Sequence, residues 1–166
     1  MTAHSRRAFL KGRFDDTPVM RPFGAVSEVE FREACTGCDA CVKACPEAII
    51  IAGPGGLPVI DPSLGACTFC GVCIETCETG ALVEDQPWPW RASADASCLS
   101  LNGVFCRSCE DLCDEGAIRF RLQTGGRSTP NIDPDLCVGC GACATSCPAG
   151  AVRLIHTPQT TETRPC

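Results

Sequence analysis

Apolar residues in this chain come in short runs, each stopped by glycine, proline or charge. Ala48-Ile49-Ile50-Ile51 reads as a strand, Gly53-Pro54-Gly55-Gly56 as a turn, and Leu57-Pro58-Val59-Ile60 as the returning strand. Gly80-Ala81-Leu82-Val83 reads as one more short strand. The second half repeats the order with Ala117-Ile118-Arg119-Phe120, a turn at Gly125-Gly126, Pro130-Asn131-Ile132-Asp133, and a closing run from Gly150 to Ile155. Ahead of all these, Val29 and Phe31 alternate with charges in Glu28-Val29-Glu30-Phe31-Arg32-Glu33, a period of two that predicts a strand. The recurrence of one unit is itself an architecture, and it predicts an α+β fold of two tandem units. The longest aliphatic run, Ala48 to Ala52, falls far short of the roughly 20 residues needed to span a bilayer, so no membrane span is expected.

Cysteines fill the spaces between these runs. Cys137-Val-Gly-Cys140-Gly-Ala-Cys143-Ala-Thr-Ser-Cys147-Pro148 has the spacing C-x2-C-x2-C-x3-C-P, the bacterial ferredoxin pattern for iron–sulfur ligation. Two-residue gaps let one loop reach three corners of a cubane, and Gly139 and Gly141 can take positive φ to turn backbone N–H groups inward. The x3 gap starts a helix that carries Cys147 about one turn beyond Cys143, which suits a ligand to a neighbouring cluster. Cys35, Cys38, Cys41 and Cys45 repeat the spacing with Pro46 behind them. Cys67, Cys70, Cys73 and Cys77 do so with Glu78 in place of the proline. Cys98, Cys106, Cys109 and Cys113 form a looser version whose first gap is seven residues. Sixteen of the seventeen cysteines are used, and Cys166 is left over. Zinc sites more often pair two separated C-x2-C knuckles, and a disulfide scaffold needs an oxidising compartment. The expectation is therefore four [4Fe–4S] clusters, or three if the long gap costs one.

The fold that follows is two tandem bacterial-type bicluster ferredoxin units, of short hairpins and short helices around clusters. Crossed ligation assigns Cys35, Cys38, Cys41 and Cys77 to one cluster and Cys67, Cys70, Cys73 and Cys45 to its neighbour. Cys137, Cys140, Cys143 and Cys113 would hold a third, and Cys98, Cys106, Cys109 and Cys147 a fourth. A nested pairing of the first quartet with the fourth and the second with the third is the alternative; the short hairpins inside each half disfavour it. The domain reading is a basic N-terminal tail over 1–27, units over 28–86 and 92–156, a linker over 87–91, and a C-terminal tail over 157–166. Pro87-Trp88-Pro89-Trp90 marks the linker, with both indoles expected to pack between the halves.

Composition adds two constraints. Aromatics are scarce in 166 residues, with seven Phe, two Trp and no Tyr, so each half has a thin core for which metal clusters can substitute. The net charge of −6 grows by about −2 for each four-thiolate [4Fe–4S]2+ site. An acidic holoprotein is unsuited to nucleic acid and suited to steering toward a basic patch on a redox partner. His4 and His156 are the only histidines and each stands near a terminus. Every ferredoxin position holds cysteine, leaving no iron with an open coordination site, so a one-electron carrier is expected rather than an enzyme.

Ser5-Arg6-Arg7-Ala8-Phe9-Leu10-Lys11 has the form of a twin-arginine export motif. Charged and proline-broken residues from Gly12 to Pro18 follow it where an apolar segment would have to stand. A cytoplasmic protein is expected. Arg6, Arg7, Phe9 and Leu10 are candidates for docking a partner, because arginine and aromatic residues are favoured in interface cores; a solvated basic tail is the plainer alternative.

The opening Ser5-Arg6-Arg7-Ala8-Phe9-Leu10-Lys11-Gly12-Arg13-Phe14, the Arg21-Pro22-Phe23 element and the four quartets together resemble the NapF-type ferredoxins of the periplasmic nitrate reductase system, from about Ser5 to Ile155. The resemblance implies a cytoplasmic protein that acts on the molybdenum-containing catalytic subunit of nitrate reductase before export, in cofactor or cluster maturation. An electron-transfer subunit of a larger oxidoreductase and a structural metal-binding scaffold are the readings it competes with.

Overall fold

The computed structural model describes residues 18–125 and 127–157. Its elements run α1 (Glu28–Ala34), α2 (Ala40–Ala44), β1 (Ile50–Ala52), β2 (Pro58–Ile60), α3 (Val72–Glu75), β3 (Trp90–Ala94), α4 (Ser108–Asp111), β4 (Ile118–Leu122), β5 (Ser128–Ile132), α5 (Ala142–Thr145) and β6 (Val152–His156). The tail carrying Arg6, Arg7, Phe9 and Leu10 lies outside the described residues, as does Cys166.

One plan serves both halves. A hairpin joins the two quartets of each: β1 and β2 pair with Ile50 opposite Ile60, and β4 and β5 with Ile118 opposite Ile132. A second antiparallel pairing ties the start of each unit to its end. In the second unit this is β3 against β6, from Trp90 opposite His156 to Ala94 opposite Val152. In the first it shrinks to a single bridge between Ala25 and Leu82, flanked by Val26 N–H to Ala81 O at 3.2 Å and Val83 N–H to Gly24 O at 2.7 Å. The strand expected at 80–83 is thus one bridged residue, because its partner turns away at Pro22 and at Gly24, where φ is +83°. The α+β reading of two tandem units stands. Trp90 and Arg91, expected in the linker, are the first two residues of β3.

The strand expected around Val29 and Phe31 is instead helix α1. Ser27 caps it: its hydroxyl accepts from the Glu30 N–H, and the Glu30 carboxylate accepts from the Ser27 N–H at 3.3 Å. This reciprocal capping box, Ser27-x-x-Glu30, satisfies two otherwise orphaned donors and stabilises a helix start by about 1 kcal/mol. A Glu28–Arg32 pair at i,i+4 spacing supports the next turn. Val29 is left 69% exposed while Phe31 is fully buried, as a helix face demands and a two-sided strand does not.

Phe31 anchors the first core together with Ile49, Ile50, Ile60 and Leu82. The second core gathers Ala117, Ile118 and Val152. Trp90 packs into the first although it begins a strand of the second unit, and Leu154 touches both. Cysteines make up a good part of the buried apolar set in each, so the core is largely the wall of the metal sites.

Arg21 is the one buried guanidinium among the described residues. It donates from Nε and Nη2 to the Glu28 carboxylate at 2.9 and 2.8 Å and from Nη1 to Pro58 O at 3.0 Å. Its guanidinium also lies 4.8 Å from the Phe31 ring centroid. Arg21, then Arg32, hold the Glu28 carboxyl below its ordinary range against the opposing effect of partial burial. Since the folded pKa is depressed, this stabilisation is complete above the ordinary carboxyl range and fades as pH falls through the lowered value. Arg21→Ala should cost about 2–3 kcal/mol, less than for a fully buried pair because Glu28 keeps 38% of its side chain exposed. Thermal unfolding of anaerobic holoprotein from pH 7 to pH 4 should show that loss at neutral pH and a flatter acid dependence in the variant. An unchanged midpoint would mean that Arg21 serves only to fill space.

Candidate metal centres

The four quartets are placed by four short helices that share one local design. Each helix holds the third cysteine of its run, and the fourth follows just past its end: Cys41 and Cys45 on α2, Cys73 and Cys77 on α3, Cys109 and Cys113 on α4, Cys143 and Cys147 on α5. The third cysteine is buried in every case. Helix α2 packs against α3, and α4 against α5. Four residues of helix displace the fourth sulfur by about 6 Å, enough to hand it to the partner helix's loop.

The cavities show the result. Cys35, Cys38, Cys41 and Cys77 ring one, and Cys45, Cys67, Cys70 and Cys73 ring the next. In the second unit Cys98, Cys106, Cys109 and Cys147 surround a third cavity, and Cys113 joins Cys137, Cys140 and Cys143 around a fourth. Each set is three cysteines from one run and the last cysteine of its partner run within the same unit. None of the four cavities gathers a set that the nested pairing would need. Among the described residues no three His, Cys, Asp or Glu side chains close around a single ion.

The long gap in the third quartet is absorbed locally. Asn102 N–H donates to Cys98 O at 3.2 Å and to Leu99 O at 3.0 Å, and its side-chain amide reaches Ala96 O and Cys98 O at 2.9 Å each. Ser100, buried, donates its hydroxyl to Ser128 O at 2.9 Å on β5. The extra residues thus coil into a compact turn pinned to the hairpin, and Cys106 comes back to face Cys98.

In the regular runs the backbone alternates in hand. Gly139 and Gly141 have φ of +72° and +96°, as expected, and a Cβ on Gly139 would collide with the Trp90 carbonyl oxygen. The equivalent positions in the second run are Phe69 (φ +54°) and Gly71 (φ +79°). Left-handed conformations turn consecutive N–H groups to one side, forming an anion-binding concavity.

Electrostatics suit a polynuclear cationic core. Burial pushes the Cys73 and Cys109 thiols up to about 11 and Cys143 up to about 12; neighbouring thiolates, Cys67 for Cys73 and Cys137 for Cys143, add to the shift. Four soft sulfurs that resist ionising together need positive charge between them. Backbone donors already point at several. Ala92 N–H lies 3.4 Å from Cys137 Sγ and Ala151 N–H 3.2 Å from Cys147 Sγ. At Cys77 burial raises the thiol pKa, but the Thr79 hydroxyl and the N–H groups of Leu82, Thr79 and Ala81 more than offset it, and the net shift is downward. Such N–H···S contacts stabilise thiolate and tune an iron–sulfur centre. The donor set and its surroundings fit [4Fe–4S] cores.

The structure also shows what sequence reasoning missed. Trp88 donates from Nε1 to Gly139 O at 3.1 Å, so that indole does lie between the halves. Its ring meets Phe23 and Phe69 edge-on, with centroids 5.9 Å apart in both cases, and Phe23 and Phe69 stack edge-on at 5.2 Å. Scattered single aromatics gave no hint of this cluster.

Comparison with known proteins agrees with the site. Two matches to a 4Fe-4S dicluster domain cover residues 34–82 and 104–151. The chain is 39% identical to the ferredoxin-type protein NapF of Haemophilus influenzae over 162 residues, covering 90% of this chain and 92% of that protein. It is 36% identical to NapF of Escherichia coli K12, covering 89% and 92%. It is also 33% identical to the methylamine utilization ferredoxin-type protein MauM of Methylorubrum extorquens, covering 84% and 74%.

Proposed function

The chain belongs to the family of ferredoxin-type NapF proteins, and we propose that it serves in the cytoplasm as an accessory factor for the molybdenum-containing catalytic subunit of a periplasmic nitrate reductase, acting before export. It is an iron–sulfur protein of the electron-transfer class with [4Fe–4S] cofactors. The observation that carries the reading is the completeness of the sites: each of four cavities is lined by a crossed set of four cysteines, with Cys67 reaching the last of them as a fifth. We assign all sixteen as cluster ligands, in the crossed sets the cavities display. When bound, such a group stores and releases single electrons. The chain's own contribution is to saturate the metal with thiolate, to donate N–H groups to the sulfurs at Cys77, Cys137 and Cys147, and to keep the third cysteine of each run dry. No corner is left for a substrate, which supports a carrier rather than an enzyme. The two units divide the work, the second beginning at Trp90 with β3 rather than at residue 92.

Placement in nitrate reductase maturation rests on the family resemblance. Among the described residues no helix is long and apolar enough to cross a membrane. The tail supplies the specific contact in this reading, through Arg6, Arg7, Phe9 and Leu10. Tagged holoprotein should capture the molybdenum-containing subunit from anaerobic cytoplasmic extract. Arg6→Ala with Arg7→Ala should weaken capture roughly tenfold, worth about 1.4 kcal/mol, with the iron content unchanged. Capture unaffected by the double variant would reduce the segment to a solvated tail. Recovery instead in a membrane-bound oxidoreductase would favour the subunit reading, and redox-silent metal the scaffold.

A further inference from the structure

Two of the four cysteine cavities face each other across the boundary between the units. Cys67 N–H donates to Cys140 O at 2.7 Å, one of the shortest backbone hydrogen bonds outside the regular elements. The cavity of Cys113, Cys137, Cys140 and Cys143 is walled on its far side by Cys67, Thr68 and Phe69, and the same three residues line the cavity of Cys45, Cys67, Cys70 and Cys73. Around this contact Thr145 Oγ1 donates to Pro62 O at 2.8 Å, and Trp88 Nε1 to Gly139 O at 3.1 Å. These bonds join the second run of the first unit to the last run of the second.

Phe69 stands at the centre of the seam in a backbone conformation that does not suit it. Its φ is +54°, a left-handed value uncommon for a bulky side chain, and the equivalent position in the first and last runs is glycine, Gly37 and Gly139. A strained aromatic at a turn where glycine would serve persists when its ring is used. Here the ring is gripped edge-on by Phe23 and Trp88, and Trp88 is in turn tied to the opposite unit.

We propose that Phe69 is a positioning residue that holds the cavity of Cys45, Cys67, Cys70 and Cys73 against that of Cys113, Cys137, Cys140 and Cys143 and keeps water from between them. The four sites then form a single series, in the order of the runs beginning Cys35, Cys67, Cys137 and Cys98, rather than two independent pairs. This rests on the cavities being cluster sites, as proposed above.

The test is Phe69→Gly in the full-length holoprotein, a change that relieves the backbone while deleting the ring. Iron and sulfide should stay at about sixteen each per chain. In the dithionite-reduced protein the electron paramagnetic resonance spectrum should lose part of its spin–spin broadening, the part contributed across the seam. Hydrogen exchange, followed by mass spectrometry on the peptide spanning residues 64–72, should speed up as the Cys67 N–H loses its shelter. A Phe69→Gly protein with full iron, an unchanged spectrum and unchanged exchange overturns the proposal, since Phe69 would then be a tolerated turn residue. If Phe69→Gly loses iron, Trp88→Phe decides, because Trp88 lies outside the quartets. Narrowed broadening with full iron in that variant supports the seam, and an unchanged spectrum, or iron loss there too, overturns it. Wild-type protein holding zinc without sulfide would sink the cluster reading itself; the seam would then stand or fall on whether the same peptide exchanges faster in Phe69→Gly.

Discussion

Anaerobically reconstituted protein will hold about sixteen iron atoms and about sixteen acid-labile sulfides per chain, four of each from every cubane. Stripping them will cost the chain its fold. Buried Cys41, Cys73, Cys98, Cys109, Cys137 and Cys143 are part of the core, so their metal is structural cement as well as cofactor. The helices that present Cys41, Cys73, Cys109 and Cys143 are four or five residues long, far below the length at which a helix persists alone. Thiols driven up to about 11 or 12 by burial and by neighbouring thiolates lose the cation that made their ionisation favourable. Site formation and folding are thus one equilibrium, as in other small metal-dependent domains. Chelator treatment followed by near-ultraviolet circular dichroism and urea titration should show no cooperative transition in the apoprotein. A count near twelve iron would place the defect at Cys98, whose quartet alone departs from regular spacing. Zinc with little sulfide, or an apoprotein that unfolds cooperatively, would end the argument that clusters organise this chain.

The parts of this structure legible in the sequence are those where chemistry dictates spacing. Three sulfurs reaching one cubane from a single loop need the two-residue gaps, and one helical turn carries the fourth cysteine toward a partner run, so both could be read from Cys35 to Cys147, while the choice of partner run stayed open between the crossed and nested pairings. The hairpins were legible for a similar reason, since apolar runs on either side of Gly53-Pro54-Gly55-Gly56 have little else to pair with. Helix α1 was not. Alternation at Val29 and Phe31 spans too few residues to distinguish periods of 2 and 3.6, and the deciding signal was the capping pair Ser27 and Glu30. The seam was illegible for a different reason. It depends on one backbone hydrogen bond between residues far apart in sequence, Cys67 and Cys140, and on a φ at Phe69 that its residue type would not suggest. The long gap between Cys98 and Cys106 looked like a weakness because nothing in the spacing shows that Ser100 and Asn102 would pin the surplus residues to β5 and to their own turn.

Crossed ligation makes its sharpest demand at Cys147. This residue follows Cys143 in the chain but shares a cavity with Cys98, Cys106 and Cys109, where its sulfur accepts from Ala151 N–H at 3.2 Å. Cys147→Ser should therefore damage the cluster of the run beginning at Cys98 and spare the one held by Cys137, Cys140 and Cys143. Serine oxygen is a poorer ligand for iron than thiolate, so roughly one cluster, about four iron, should be lost or made labile. Pairs of variants identify the site without needing to resolve overlapping spectra. Two changes within one site remove the same cluster and should not add, whereas changes at separate sites should. Cys109→Ser with Cys147→Ser should then lose no more iron than either alone, and Cys143→Ser with Cys147→Ser about twice as much. Cys113 supplies the mirror-image control, because it shares its cavity with Cys137, Cys140 and Cys143. Cys113→Ser should be additive with Cys109→Ser and non-additive with Cys143→Ser. If Cys147 and Cys143 instead behave as one site, the fourth sulfur stays with its own run, and helix α5, which holds Cys143 and ends two residues before Cys147, has been given the wrong role.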